Sequence, residues 1–249
     1  NCTNIVSIEV SGVRIETGYT GTFTQAAPIV IGDNGFSQYA GAFHGSSNMI
    51  QIKGMLLLAG GVFRSTADQL VFNGTYKESS QILLKEEGGI FQHNNGTISI
   101  ETKVPFYNSN PLVFDVSNRI QLYNLKVNFF DYNSYNLKNI KFAINTNDTA
   151  IINNNIIHDN GMLLGTFILK RNLDVTANAD GGDGTIIFKG EQDQFYTNTT
   201  NDGLASHLAI DKLQSSVLPG INTNSFKLTR LTILNGTFTA PADSLILTG

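Results

Sequence analysis

The stretch GVFRSTADQLVFNG, Gly61 to Gly74, returns at the far end of the chain as GTFTAPADSLILTG, Gly236 to Gly249. Laid over one another, the two share Gly61/Gly236, Phe63/Phe238, Ala67/Ala242, Asp68/Asp243, Leu70/Leu245 and Gly74/Gly249, with Phe72 opposite Leu247. The likeness continues upstream, LLLAGGVF (Leu56 to Phe63) against LTILNGTF (Leu231 to Phe238), and a shorter copy, GTFTQAAPIVIG, spans Gly21 to Gly32. Each copy reads as an alternating strand, a glycine corner, an aromatic turned inward, a polar turn and a second alternating strand. A second phrase also recurs, NGTISI (Asn95 to Ile100) and DGTIIF (Asp183 to Phe188). Phrases that return at matching stages describe a chain wound coil upon coil, a β-solenoid. The two long copies lie 236−61 = 175 residues apart. That is about six or seven coils at the roughly 20–50-residue periods usual for repeats.

Composition agrees with a β-rich fold. Of 249 residues 41% are hydrophobic, enough for a sizeable core, and only 14% are charged. The polar remainder is dominated by Asn, Thr, Ser and Gly, which suit turns and sheet surfaces better than helices. No long segment carries a sustained 3.6-residue apolar stripe with caps. With a net charge of −4 and its 16 Lys and Arg scattered, the chain has no nucleic-acid footprint. No apolar run reaches the roughly 18 residues that span a bilayer as a helix. A single cysteine, Cys2, forms no internal disulfide, and no Cys/His spacing suggests zinc.

Finer expectations follow from the coil. Asn95, Asn124 and Asn153 stand 29 residues apart (124−95, 153−124), each three residues before Ile98, Val127 and Ile156. Stacked turns would let such side-chain amides bond their neighbours. LASHLAIDKLQSSV (Leu204 to Val217) reads as a further coil with Leu208, Ile210 and Leu213 as its apolar positions. The expected fold is an all-β, right-handed parallel β-helix, the hand following the usual preference of parallel crossovers. The alternative is a β-sandwich or jelly roll, whose strands occupy non-equivalent places and do not call for recurring phrases. Residues 1–249 form one solenoid segment on this reading. NIVSIEVSGVRIETG and SLILTG already alternate at the two ends, so a segment of a longer chain, or a subunit stacking head to tail into a filament, is expected.

The phrases LTILNGTFTAPADSLILTG (231–249), GGDGTIIFKGEQDQF (181–195) and IQLYNLKVN (120–128) resemble those of very large secreted surface proteins of the Bacteroidota, among them gliding-type adhesins exported by the type IX system, with parallel β-helical shafts. The resemblance covers most of the chain from about Leu56 onward. It implies a secreted, repetitive, extracellular cell-surface protein. The carboxy-terminal sorting domain of such exported proteins is not in this sequence, as expected of an internal segment. The O-glycans of such proteins sit on Asp-Ser/Thr-apolar triplets, which DTA (Asp148 to Ala150) and DSL (Asp243 to Leu245) resemble; this implies Thr149 and Ser244 as acceptors. Asn-x-Thr triplets occur at Asn1, Asn73, Asn95, Asn147, Asn198 and Asn235, and count only where the transferase exists.

Catalytic readings find little to build on. ADGGDG (Ala179 to Gly184) offers Asp180 and Asp183, but the position where a calcium-binding nonapeptide loop needs Asp is Ile186, so it reads as a turn. Glu86 and Glu87 are adjacent and on a strand point to opposite faces, which makes no glycosidase dyad. His44, His93, His158 and His207 are far apart, with solvent or turn positions expected, although stacking could bring His93 and His158 to one face. GSS (Gly45 to Ser47) lacks the context of a nucleophile elbow. NFFDYNSYN (Asn128 to Asn136) is the densest aromatic stretch and a sugar-stacking candidate, against the simpler reading that Phe129 or Phe130 fills the interior. The expectation is therefore a non-enzymatic structural or adhesive shaft without catalytic centre, cofactor or metal. Its marks are Gly61, Phe63, Leu70, Gly74, Gly236, Phe238, Leu245 and Gly249. Self-association, surface glycans and other cells are its expected partners. The rival expectations are a β-helical polysaccharide lyase and a tailspike-like glycan binder.

Overall fold

A computed structural model describes residues 1–75, 81–104, 110–131, 140–198 and 200–249. It is a parallel β-helix: strands and turns, with no helix among the described residues. Short strands wind past three faces per coil, and each pairs in parallel with the strand one coil away.

The interior is made of columns. On the first face Phe23, Phe43, Phe63 and Phe91 stand over one another, with ring centroids 5.5, 4.7 and 6.0 Å apart in near-parallel stacks. Phe36, from the third face, meets Phe43 and Phe63 edge-on at 5.3 and 5.2 Å. The second face stacks Ile29, Ile50, Leu70, Ile98, Leu125, Ile156 and Leu173. The third stacks Phe36, Leu56, Leu84, Phe114 and Ile144. Alternation decides which side chains enter these columns, since a slip of one residue would turn the whole apolar set outward. Each large side chain so buried contributes about 1.5–3 kcal/mol.

Coil length varies while the columns hold. Ile8, Ile29 and Ile50 are 21 residues apart (29−8, 50−29), Leu125 and Ile156 are 31 (156−125), and Ile156 and Leu173 only 17 (173−156). Extra residues leave at the corners, where lengthening a loop adds little closure entropy.

The repeated phrase is out of phase. Phe63 lies on the first face and Leu70 on the second, as do Phe23 and Ile29 of the short copy. Phe238 instead lies beside Val217 on the second face, and Leu245 beside Phe226 on the third. The phrase thus encodes a strand–corner–strand unit, and any side of the coil accepts it. Both corner glycines keep their role: Gly61 and Gly236 have φ of +73° and +94°. A Cβ there would stand 2.2 Å from the Gly41 oxygen or 2.7 Å from the Lys212 oxygen, so the close approach of consecutive corners also demands glycine.

The asparagine ladder exists in another register. Asn124 stands opposite Thr97, not Asn95. Its Oδ1 accepts the Asn155 N–H at 3.1 Å, Asn155 Oδ1 accepts from Asn172 N at 3.2 Å, and Asn172 Oδ1 from Phe195 N at 2.9 Å. Coils of 27, 31 and 17 residues cannot keep a 29-residue spacing in register (125−98, 156−125, 173−156).

The strand His207–Pro219 buries Leu208 and Ile210 as expected but leaves Leu213 90% exposed. Register shifts at Asp211 and before Ser216 break the alternation and turn Lys212 inward. Its ammonium donates to Gly190 O, Gln192 O and Gln194 Oε1 at 2.7, 2.7 and 2.8 Å. A buried cation is tolerated here because each of its donors has an acceptor.

Candidate functional site: a cleft where the first face breaks

The first face is interrupted once among the described residues. Its five-strand sheet ends at Ile90–Gln92, and the next strand, Arg119–Leu122, packs beside it without joining the ladder. Between them lies a cleft of about 620 Å³, lined by Arg64, Glu86, residues 89–95 and residues 119–121.

Local chemistry holds this gap open. A continuing ladder would give the Phe91 N–H a carbonyl partner; here Glu86 Oε1 accepts it at 3.1 Å. Glu86 reaches back across the Gly88–Gly89 corner, where Gly88 has φ +121°. Burial, with a smaller push from the charge of Asp148, raises its carboxyl to about 7 against the lowering effect of the Phe91 bond. Asp148 is itself engaged, Oδ2 accepting from Val116 N and Oδ1 from Asn118 N, both at 3.1 Å. That clamp fixes the left-handed Asn118, φ +91°, immediately before Arg119.

On the other wall the turn after Gln92 is also left-handed, with φ of +48° at Asn94 and +61° at Asn95, a conformation asparagine adopts more readily than most residues. Asn94 Oδ1 accepts from Arg64 Nε at 3.0 Å and Nη2 at 2.6 Å, so this guanidinium is held in place. His93 Nδ1 accepts the Asn95 N–H at 2.9 Å. The other ring nitrogen, Nε2, lies 3.2 Å from Asn153 Nδ2. Burial pushes the His93 pKa down, which disfavours the charged imidazole. Arg119 is exposed and makes no ion pair among the described residues. The cleft thus presents two permanent cations, Arg64 held by Asn94 and Arg119 without an ion pair among the described residues, beside the amides of Gln92, Asn95 and Gln121, with the exposed Ile90 in its lining.

The other expected residues lie elsewhere. Glu87 pairs with Lys85 while Glu86 faces the cleft, so the two do part. His44 is exposed. His158 is not at the surface: it is fully buried on the second face, opposite Val127 and Val175. Its Nε2 bonds the Gly161 carbonyl at 2.7 Å, and burial pushes its pKa down to about 4. It does not meet His93. His207 is half-buried, with Thr185 Oγ1, Thr232 Oγ1 and Arg230 Nη2 at 3.1, 2.9 and 3.0 Å. Asp183 is exposed after Gly181 and Gly182, at φ +69° and +108°, and Ile186 is buried in a strand. Phe129 fills the interior; Tyr132 and Tyr135 fall outside the described residues. Thr149 is half-buried on an outward strand position, and Ser244 Oγ donates to Ser225 Oγ at 2.9 Å. Among the Asn-x-Thr triplets, Asn198 is fully buried and its Nδ2 donates to the Gly203 carbonyl at 3.0 Å. Cys2 is exposed.

Comparison of the chain with protein-family models, with curated proteins and with solved structures finds no match.

Proposed function

We propose that the protein is a non-enzymatic β-helical shaft of an extracellular, cell-surface adhesive structure, with its lateral cleft as a point of contact. The observation that supports this most is the continuity of the interior columns. Phe23, Phe43, Phe63 and Phe91 repeat one contact from coil to coil, and parallel pairing runs along the axis. Bending such a stack must open backbone bonds and separate rings on one side, so the form resists flexure. Exported surface proteins of the kind the repeated phrases resemble use shafts of this type. Head-to-tail stacking of copies belongs to the same reading, because a parallel coil can continue its ladder across a copy-to-copy contact.

Negative-stain electron microscopy of the purified protein tests the proposal. Rods, or filaments of rods joined end to end, are expected; compact particles of variable outline would overturn it. A second reading, an acidic-polysaccharide lyase, is favoured by one observation, the Glu86 carboxyl with a pKa near neutrality in a cleft that two arginines also line. Turnover of polyuronate to unsaturated products, followed by ultraviolet absorbance, would establish that reading instead.

A further inference from the structure

We propose that the cleft between Ile90–Gln92 and Arg119–Leu122 is a binding site for carboxylate-bearing saccharides, with Arg64 and Arg119 receiving successive uronate groups. This deepens the adhesive reading above and rests on it.

Four observations lead there. First, the two arginines approach from opposite walls: Arg64 lies one rung beyond Gln92 and Arg119 one strand below it. At least two inter-strand spacings of roughly 4.8 Å therefore separate them at the backbone. A single carboxylate does not need two guanidinium groups on separate strands; a chain carrying one carboxylate per ring can meet both. Second, Arg64 is held by Asn94, so little rotamer freedom is lost when it binds, and a planar guanidinium receives a carboxylate in two parallel hydrogen bonds.

Third, the rest of the polar lining is amide. Gln92, Asn95 and Gln121 each offer a donor and an acceptor, the complement of sugar hydroxyls, which are also both. Fourth, the site is closed to the obvious competitor, an acidic peptide added as a strand. Such a peptide needs the free N–H groups of the sheet edge, and Glu86 already occupies that of Phe91. The charges around Glu86 are Asp148 beside it, Lys85 and Glu87 paired with each other, and the two arginines of the lining. Even with Glu86 ionised, two arginines against one carboxylate leave the net lining charge positive.

The test is calorimetric titration of the full chain with size-defined oligogalacturonates, with a neutral oligosaccharide and poly-glutamate as comparators. We expect saturable binding of the oligouronate that weakens with added salt, and little or none of the comparators. R119Q should reduce affinity at least tenfold without changing the melting temperature. Arg64→Gln together with Arg119→Gln should abolish binding; R64K, which keeps the charge but loses the paired geometry, should fall between. Absence of oligouronate binding, equal binding of the neutral sugar or of poly-glutamate, or undiminished binding by R119Q overturns the assignment. The two readings fail separately. Rods by microscopy without oligouronate binding leave the shaft and remove the saccharide site. Binding by particles that are not rods does the reverse.

Discussion

Glu86 Oε1 accepts the backbone N–H of Phe91 at 3.1 Å, five residues along the chain, at the place where the first face stops being a continuous sheet. A side chain thus stands in for a coil's carbonyl. Because it is half-buried, its carboxyl takes a proton more readily in the folded protein than in the unfolded chain.

The sign of the pH dependence follows. With a folded pKa raised to about 7 from an ordinary value of 4.5, the folded state holds a proton that the unfolded chain has released between those limits. Stability therefore falls as pH rises through that window, and the loss is complete above it. Glu86→Gln keeps the acceptor for Phe91 and removes the ionisation. Its melting temperature should exceed that of the wild type at about pH 8, and the two should converge near pH 4. Equal melting at both pH values would contradict the half-buried carboxyl.

Lys212→Met keeps a long side chain in the interior but takes a donor from three oxygens, of Gly190, Gln192 and Gln194, and leaves that of Gln192 bare while Gln194 Oε1 keeps the Gly190 N–H and the Gly190 oxygen the Ser215 hydroxyl. Orphaned buried acceptors cost about 1–3 kcal/mol each, lessened where the structure relaxes. The variant should lose ~2–4 kcal/mol by urea denaturation. Leu213→Ser, one residue on at an exposed position, should change stability by less than about 0.5 kcal/mol. A larger loss from Leu213 than from Lys212 would mean that the register shift is misplaced.

Phe63→Ala empties a site bounded by Phe36, Phe43 and Phe91, and should cost about 3–5 kcal/mol. Phe238→Ala, at the corresponding place in the repeated phrase, should cost less. Phe238 stacks on Tyr196 at 5.1 Å but is only partly buried. Equal losses in chemical denaturation would show that something covers the last coil in solution.

Asn155→Ala removes the acceptor for Asn172 N–H and should cost ~1 kcal/mol. Asn95→Ala, at the position that equal spacing would have put in the ladder, should leave thermal unfolding nearly unchanged apart from the strain of a left-handed alanine.

The fold was legible because apolar residues dominate the interior columns. Inward and outward positions alternate in IVI, IQI and LLL, at 29–31, 50–52 and 56–58, although only IQI shows it in its letters, and the glycine corners mark where strands turn. Two things were not legible. Phase was lost because the repeated phrase specifies a side of the coil without saying which side. The turn ladder was lost because coil length changes at the corners, so equal spacing in sequence is unequal height along the axis. The cleft was hidden for a related reason. Glu86, Phe91 and Arg119 are unremarkable in sequence, and only the failure of one ladder brings them to a common opening. His158 shows the opposite error: a polar letter, expected at a solvent or turn position, that the interior accepts with its Nε2 on the Gly161 carbonyl.

The displacement of the second long copy by one face has a consequence for how such a rod can vary. If the interchangeable module is a side, then losing or gaining one such module keeps every hydrophobic stack downstream intact. It also rotates the whole remaining exterior by about a third of a revolution. The inside of the rod does not register such an event. The outside does, because groups that had shared a flank, two arginines or a row of threonines, afterwards point in different directions. Lateral recognition by this architecture can therefore be rearranged wholesale without altering what holds it upright.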